Sequence, residues 1–175
     1  MKKLFLQEYG CILNKKPCKK KFNKVTNCGL LPKGGLWLSP LITKDYKLIT
    51  EWYLESHNLN IFDEKYNTPR LYKIKLKMGA KVLFINKKDY DLGKYDNYIS
   101  DEGKDMKLYL IDYERLSKEY DAILFDYNMK GRPLYDKNSK YYKYDYRDFI
   151  YNLECDTLLI TNFDIIDKII DMGEI

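Results

Sequence analysis

Between residues 70 and 77 the chain reads Arg-Leu-Tyr-Lys-Ile-Lys-Leu-Lys. From Tyr72 onward apolar and lysine side chains alternate strictly. A period of two suits only a strand with one face buried and one face in water. Met78-Gly79 breaks the run, and Lys81–Ile85 (KVLFI) follows as a second strand. Two further short apolar runs, Ala122–Phe125 (AILF) and Asp156–Thr161 (DTLLIT), read as buried strands. A chain with these runs must build a sheet, so the question becomes what lies between the strands.

Lys3–Leu6 alternates into Tyr9 and reads as a first strand. Gly34-Gly35-Leu36-Trp37-Leu38-Ser39-Pro40 reads as a short buried strand, opened by the glycine pair and ended by Pro40. Thr43 is an expected N-cap for a helix to about Ser56, with Asp45 in its first turn and Leu48, Ile49, Trp52 and Tyr53 at helical spacing. Lys88–Tyr95 reads as a short helix, and 96–107 as a polar loop. Asp112 caps a helix to Tyr120, with Tyr113, Leu116 and Tyr120 on one face. Residues 127–142 read as a surface insertion, Tyr144–Tyr151 as a helix or an extended approach, and Asp164–Met172 as a closing helix. Strands and helices do not alternate as in a doubly wound sheet. The expected class is α+β, with a mixed or antiparallel sheet and irregularly inserted helices, in one domain over residues 1–175.

Charge is distributed unevenly. The net charge is +5, yet residues 1–33 carry nine Lys and one acid, Glu8, for +8, and the remaining 142 residues net −3. The cations of 13–33, a lysine-rich loop or arm, include Lys15, Lys16, Lys19, Lys20 and Lys21, with Phe22 among them. Lysines neutralise phosphates without reading sequence, and an aromatic ring can stack on a base. A nucleic acid or an acidic protein is the partner expected of that arm. The plainer account is a solvated loop in a lysine-rich, AT-rich coding background, where basic side chains are nearly all Lys and Ala occurs only at 80 and 122.

Several chemistries are disfavoured. The four cysteines (Cys11, Cys18, Cys28, Cys155) form no C-x2-C pair and there is one histidine, His57, so no metal site is expected. A single His also removes the common catalytic triads. His57 reads as a charge at a helix C-terminus. No P-loop, G-x-G-x-x-G, H-E-x-x-H or G-x-S-x-G motif occurs. Neither a leader peptide nor a run of ~20 apolar residues is visible. The expectation is a cytoplasmic chain with free thiols and no membrane association.

Two constellations could carry chemistry. In the first, Gly34 and Gly35 admit a ligand or a second backbone, Ser39 supplies a hydroxyl, and Trp37 a ring that could stack on a planar group. Core packing is the plainer account of Trp37. In the second, Glu154 and Asp156 stand two residues apart before Thr157–Ile160, hence on one face at the lip of a buried strand. A carboxylate there could act as a base or stabilise a cationic transition state. Two solvated acids at a strand start are the plainer account.

Taken in order, these features resemble a small ADP-ribosyltransferase domain of the phage- and toxin-associated branch. The residues concerned are Gly-Gly-Leu-Trp-x-Ser at 34–39, Trp52 on the following segment, the strand pair 71–76 and 81–85, Ile111–Leu116 with Tyr120–Ile123, and the final Glu-x-Asp at 154–156. The likeness spans about residues 3–167. It implies a split, mixed sheet with NAD as co-substrate in a cleft, and no metal. It implies that Glu154, with Asp156 as alternate, holds the ribose and steadies the charge that develops as nicotinamide leaves. Gly35, Trp37, Ser39 and Trp52 would bind NAD. The family usually places Arg or His on its first strand; here Leu4–Tyr9 has neither, and Gln7 or Tyr9 would stand in through hydrogen bonds. The acceptor, nucleic acid or protein, would lie on Lys15, Lys16, Lys19, Lys20, Lys21 and Phe22. A different class, a non-enzymatic nucleic-acid-binding domain using the same arm and exposed tyrosines, explains the charge equally well.

Overall fold

The computed structural model describes residues 7–28, 32–58, 68–85, 99–100, 110–125 and 155–175. Its strands are β1 (Tyr9–Leu13), β2 (Leu36–Lys44), β3 (Lys47–Thr50), β4 (Arg70–Leu76), β5 (Val82–Ile85), β6 (Ile99–Ser100), β7 (Leu110–Ile111), β8 (Ala122–Phe125), β9 (Thr157–Ile160) and β10 (Ile166–Glu174). Among the described residues two α-helices accompany them, α1 (Glu51–Asn58) and α2 (Tyr113–Glu119). The order across the main sheet is β10-β4-β1-β2-β9-β8-β5, with β3 attached to β2. Only β5 and β8 run parallel; the other pairs of this sheet are antiparallel. β6 and β7 form a separate antiparallel pair. The class is therefore α+β with a mixed, mostly antiparallel sheet, as the sequence leads one to expect.

One sheet face carries the larger core. Tyr9, Cys11, Leu38, Tyr72, Ile74, Ala122, Leu124, Leu158, Ile160 and Ile165 pack together on it. The alternation of β4 explains its share, since Tyr72 and Ile74 turn inward while Lys75 stays in water. On the other face Ile12, Leu41 and Leu71 pack with Leu48 of β3 and Tyr53 of α1. Burying such side chains is worth about 1.5–3 kcal/mol each, so the sheet interior dominates stability.

Strand β2 joins the halves of the sheet segment by segment. Leu36–Leu38 pair with β9, Ser39 and Pro40 with β1, and Leu41–Lys44 with β3. Pro40 does not end the strand, contrary to the sequence reading. It lies where β9 has stopped and β3 has not begun, a seam where a missing N–H is tolerated.

The expected helix from Thr43 to Ser56 is corrected. β2 continues to Lys44, Asp45 and Tyr46 turn back with φ of 49° and 62°, and β3 follows. The helix begins only at Glu51. Its cap is Thr50, whose Oγ1 accepts from the Tyr53 N–H at 3.1 Å. Leu48 and Ile49 suit a strand as well as a helix, and pairing with Thr43 and Ile42 decides between them.

The closing helix is corrected too. A 3-10 turn over Phe163–Ile165 leads into β10, which lies antiparallel along β4 with two register shifts. Ile165, Ile166, Ile169 and Ile170 recur at helical intervals, but the open edge of β4 supplies backbone partners that a helix could not use. The α2 reading holds: Asp112 Oδ1 accepts from the Arg115 N–H at 3.0 Å. β6 falls within the segment expected to be a loop. The first-strand residues 3–6, the 88–95 helix, the 127–142 insertion, the 144–151 segment and Glu154 lie outside the described residues.

Candidate functional site

Ser39 and Asp156 lie at the same end of the antiparallel pair β2–β9. Leu38 faces Leu158, so Ser39 continues the register toward Thr157, with Asp156 just beyond. The buried Ser39 accepts a hydrogen bond through Oγ from the Trp52 N–H at 3.4 Å. The first turn of α1 is thereby tied to β2, and Trp52 remains 38% exposed beside it.

Cys155 is buried where the chain enters β9. Burial pushes its thiol up to about 12, and the negative charge of Glu51 adds to the effect, with smaller shares from Asp156 and Glu55. Thr157 opposes the shift, and its Oγ1 donates to the Cys155 carbonyl at 2.9 Å. Carboxylates of α1 and of the start of β9 thus all act on the Cys155 thiol. Sequence reading missed Glu51 and Glu55; their i, i+4 spacing was the available signal. A corner combining carboxylates, hydroxyls and an exposed indole suits a sugar hydroxyl and a developing positive charge.

Other candidates are positioned differently. Gly35 has φ 67°, and its N–H donates to the Asn23 carbonyl at 2.9 Å. A Cβ there would meet Leu159 Cδ1 at 2.5 Å and the Ile160 carbonyl at 2.8 Å. A side chain on Gly34 would run into the Lys24 carbonyl. The glycine pair thus admits a second backbone, the chain's own, one of the two uses open from sequence. Trp37 is half-buried and stacks on Phe125, with centroids 6.3 Å apart and planes 17° apart. That face of the indole is occupied by packing.

The first-strand candidates turn the other way. Tyr9 pairs with Pro40 and Gly10 with Ser39. Side chains alternate along a strand, so Tyr9 points to the face opposite Ser39 and Trp37, and Gln7 shares its parity. Gln7 and Tyr9 instead line a cavity of about 290 Å³ with Ile74, Leu76, Ala80 and Leu158. The pair does not share the face of Ser39; by the same alternation Asp156, which continues the register opposite Pro40, falls on the Tyr9 side.

The lysine-rich segment is packed against the body at the far end of β9. Lys19 Nζ lies 2.6 Å from Asp164 Oδ1, and the rings of Phe22 and Phe163 meet edge-on at 5.5 Å. Val25 is buried, and Thr26 bridges to Lys33. Asn27 Oδ1 accepts from the Tyr113 N–H at 2.8 Å and its Nδ2 donates to Asp112 at 2.9 Å. A cavity of about 620 Å³ separates Lys19, Phe22 and Lys24 from Ser117, Tyr120 and Asn162. This arm, the expected acceptor surface, lies at the Thr161 end of β9, about 17 Å along the strand from Asp156. Lys15, Lys16, Lys20 and Lys21 are exposed.

Among the described residues no group of His, Cys, Asp and Glu is arranged to hold a metal. Among them, too, no helix is long and apolar enough to cross a membrane. No protein-family model, curated protein or solved structure matches the chain.

Proposed function

We propose that this chain is an NAD-dependent mono-ADP-ribosyltransferase acting in a cytoplasm on a macromolecular acceptor, with its reactive corner at the Ser39–Asp156 end of β2 and β9. The observation that carries the reading is the pairing of those strands, which aligns Ser39 with the start of β9. The handover of pairing along β2 from β9 to β1 and β3 also suits an ADP-ribosyltransferase-like split sheet.

The chemistry asks little of the protein. The bond between nicotinamide and its ribose breaks, nicotinamide leaves with the electron pair, and the ribose carbon gains positive character. An acceptor oxygen or nitrogen forms the new bond and releases its proton. A fixed carboxylate stabilises the cationic state, and Glu154 or Asp156 is assigned that part. Ser39 positions the substrate ribose, and Trp52, 38% exposed, is the ring assigned to a planar group. No metal is assigned. Gln7 and Tyr9 face away from Ser39, so they are not assigned to the ribose that Ser39 positions.

Release of nicotinamide from labelled NAD, with mixed RNA, DNA and protein acceptors present, tests the reading. Glu154→Gln or Asp156→Asn, whichever removes the working carboxylate, should slow release by about 10²–10³-fold. Wild-type rates in both variants, or no release by the unaltered chain, would sink it.

The exposed Lys15, Lys16, Lys20 and Lys21 favour a second reading, a non-enzymatic nucleic-acid-binding domain. It differs in showing salt-sensitive binding and no response to NAD.

A further inference from the structure

The hairpin joining β2 to β3 is built against its own stability. Its two central residues, Asp45 and Tyr46, both have positive φ, 49° and 62°. This is the type I′ pattern, which favours Asn and Gly. Asp is tolerated there because its short polar side chain can adopt the left-handed region. Tyrosine gains nothing from that conformation, and its ring stands wholly in water. Beside it, Lys44 and Lys47 face each other directly across the pair and both are exposed. Like charges in that position repel. No described residue forms an ion pair with either lysine. A strained aromatic, a ring in water and a facing cation pair are each unfavourable in the free protein. A base stacking on the ring and phosphates lying on the lysines would turn the last two favourable and offset the strain of the turn.

We infer that the Lys44–Lys47 hairpin is a prong for single-stranded nucleic acid, with Tyr46 stacking on a base and Lys44 and Lys47 contacting the flanking phosphates. The inference rests on the proposed transferase in one respect: it names the acceptor class and relocates its contact from the lysine-rich arm. Lys44, at the base of the tip, lies five residues beyond Ser39 along β2, about 17 Å, at the same end of the sheet as Asp156. The Lys19 and Phe22 segment lies at the opposite end of β9. Asp45 opposes the lysines and serves the turn.

The test is anisotropy of a fluorescein-labelled fifteen-nucleotide oligo(dT) or oligo(U) with the full chain, without NAD, over a range of salt. Tyr46→Asn should weaken binding by about 5–100-fold while raising the melting temperature, because Asn relieves the strained turn. Tyr46→Phe should bind like the unaltered chain. Lys44→Ser with Lys47→Ser should flatten the slope of log affinity against log salt by about 1.4, and Asp45→Asn should tighten binding. Unchanged affinity in Tyr46→Asn overturns the inference. So does equal binding of polyglutamate, which would mean an acidic protein surface, or no oligonucleotide binding at all. Nicotinamide release is read separately: binding without release overturns the transferase and leaves the prong standing.

Discussion

Gly35 illustrates how a single residue can be assigned to chemistry or to construction. Its positive φ and the close Leu159 and Ile160 leave no room for a Cβ. Gly35→Ala should therefore cost about 2–4 kcal/mol, through backbone strain and overpacking. Urea denaturation checks this. An unchanged midpoint alongside lost NAD binding would return the glycine to a ligand role. Ser39 and Tyr9 make the complementary point. Both were legible as polar candidates on neighbouring strands, but the pairing of Gly10 with Ser39 sends Tyr9 to the opposite face. Residue type was visible in the sequence; which face a side chain takes depended on a register no local pattern contains.

At the level of elements, α2 is capped twice. Asp112 is the local cap that its sequence position announces. Asn27, more than eighty residues earlier, accepts from the N–H groups of Tyr113 and Glu114 at 2.8 and 3.3 Å. Asn27→Ala should cost about 1 kcal/mol and speed hydrogen exchange at the Tyr113 and Glu114 amides. If those amides stay protected, the distant cap is redundant. β10 shows the limit of periodicity in a different way. Its isoleucines fit a helix by spacing, yet the Arg70 guanidinium on β4 engages Asp171 and Glu174 of β10. That guanidinium holds the Asp171 carboxyl below its usual range, helped by the Gly173 N–H. Both groups lie at the surface, so the pair registers the strand more than it strengthens it.

Across the whole molecule the charge asymmetry has a structural use. The basic N-terminal segment docks on an acidic body through Lys19 and Asp164, and Lys16 acts on Asp171. Not all of its charge is therefore available to a partner. Global stability should also depend on the two buried thiols. Cys11 and Cys155 are each pushed up to about 12, chiefly by burial. An unfolded thiol ionises near pH 8.5–9, so the stabilisation is complete below that value. It is lost between about pH 9 and 12, at about 1.4 kcal/mol per pH unit for each thiol. Urea midpoints from pH 7 to 10.5 should fall more steeply for the unaltered chain than for Cys11→Ala with Cys155→Ala. Parallel slopes would mean the thiols ionise in the folded state.

The sequence by itself determined the α+β class, the strands β4, β5, β8 and β9, and the helix that Asp112 begins. Each is written in a few neighbouring residues, as an alternation, a short apolar run or a cap, and neighbouring residues are enough to read it. Tertiary structure alone decided that the last segment is a strand, that Gly34 and Gly35 admit the chain's own backbone, and that the lysine arm sits at the far end of β9. It also decided that Tyr9 turns away from Ser39. Those outcomes rest on which distant backbone supplies a hydrogen-bond partner, and in what register, and that choice is made only when the whole sheet closes.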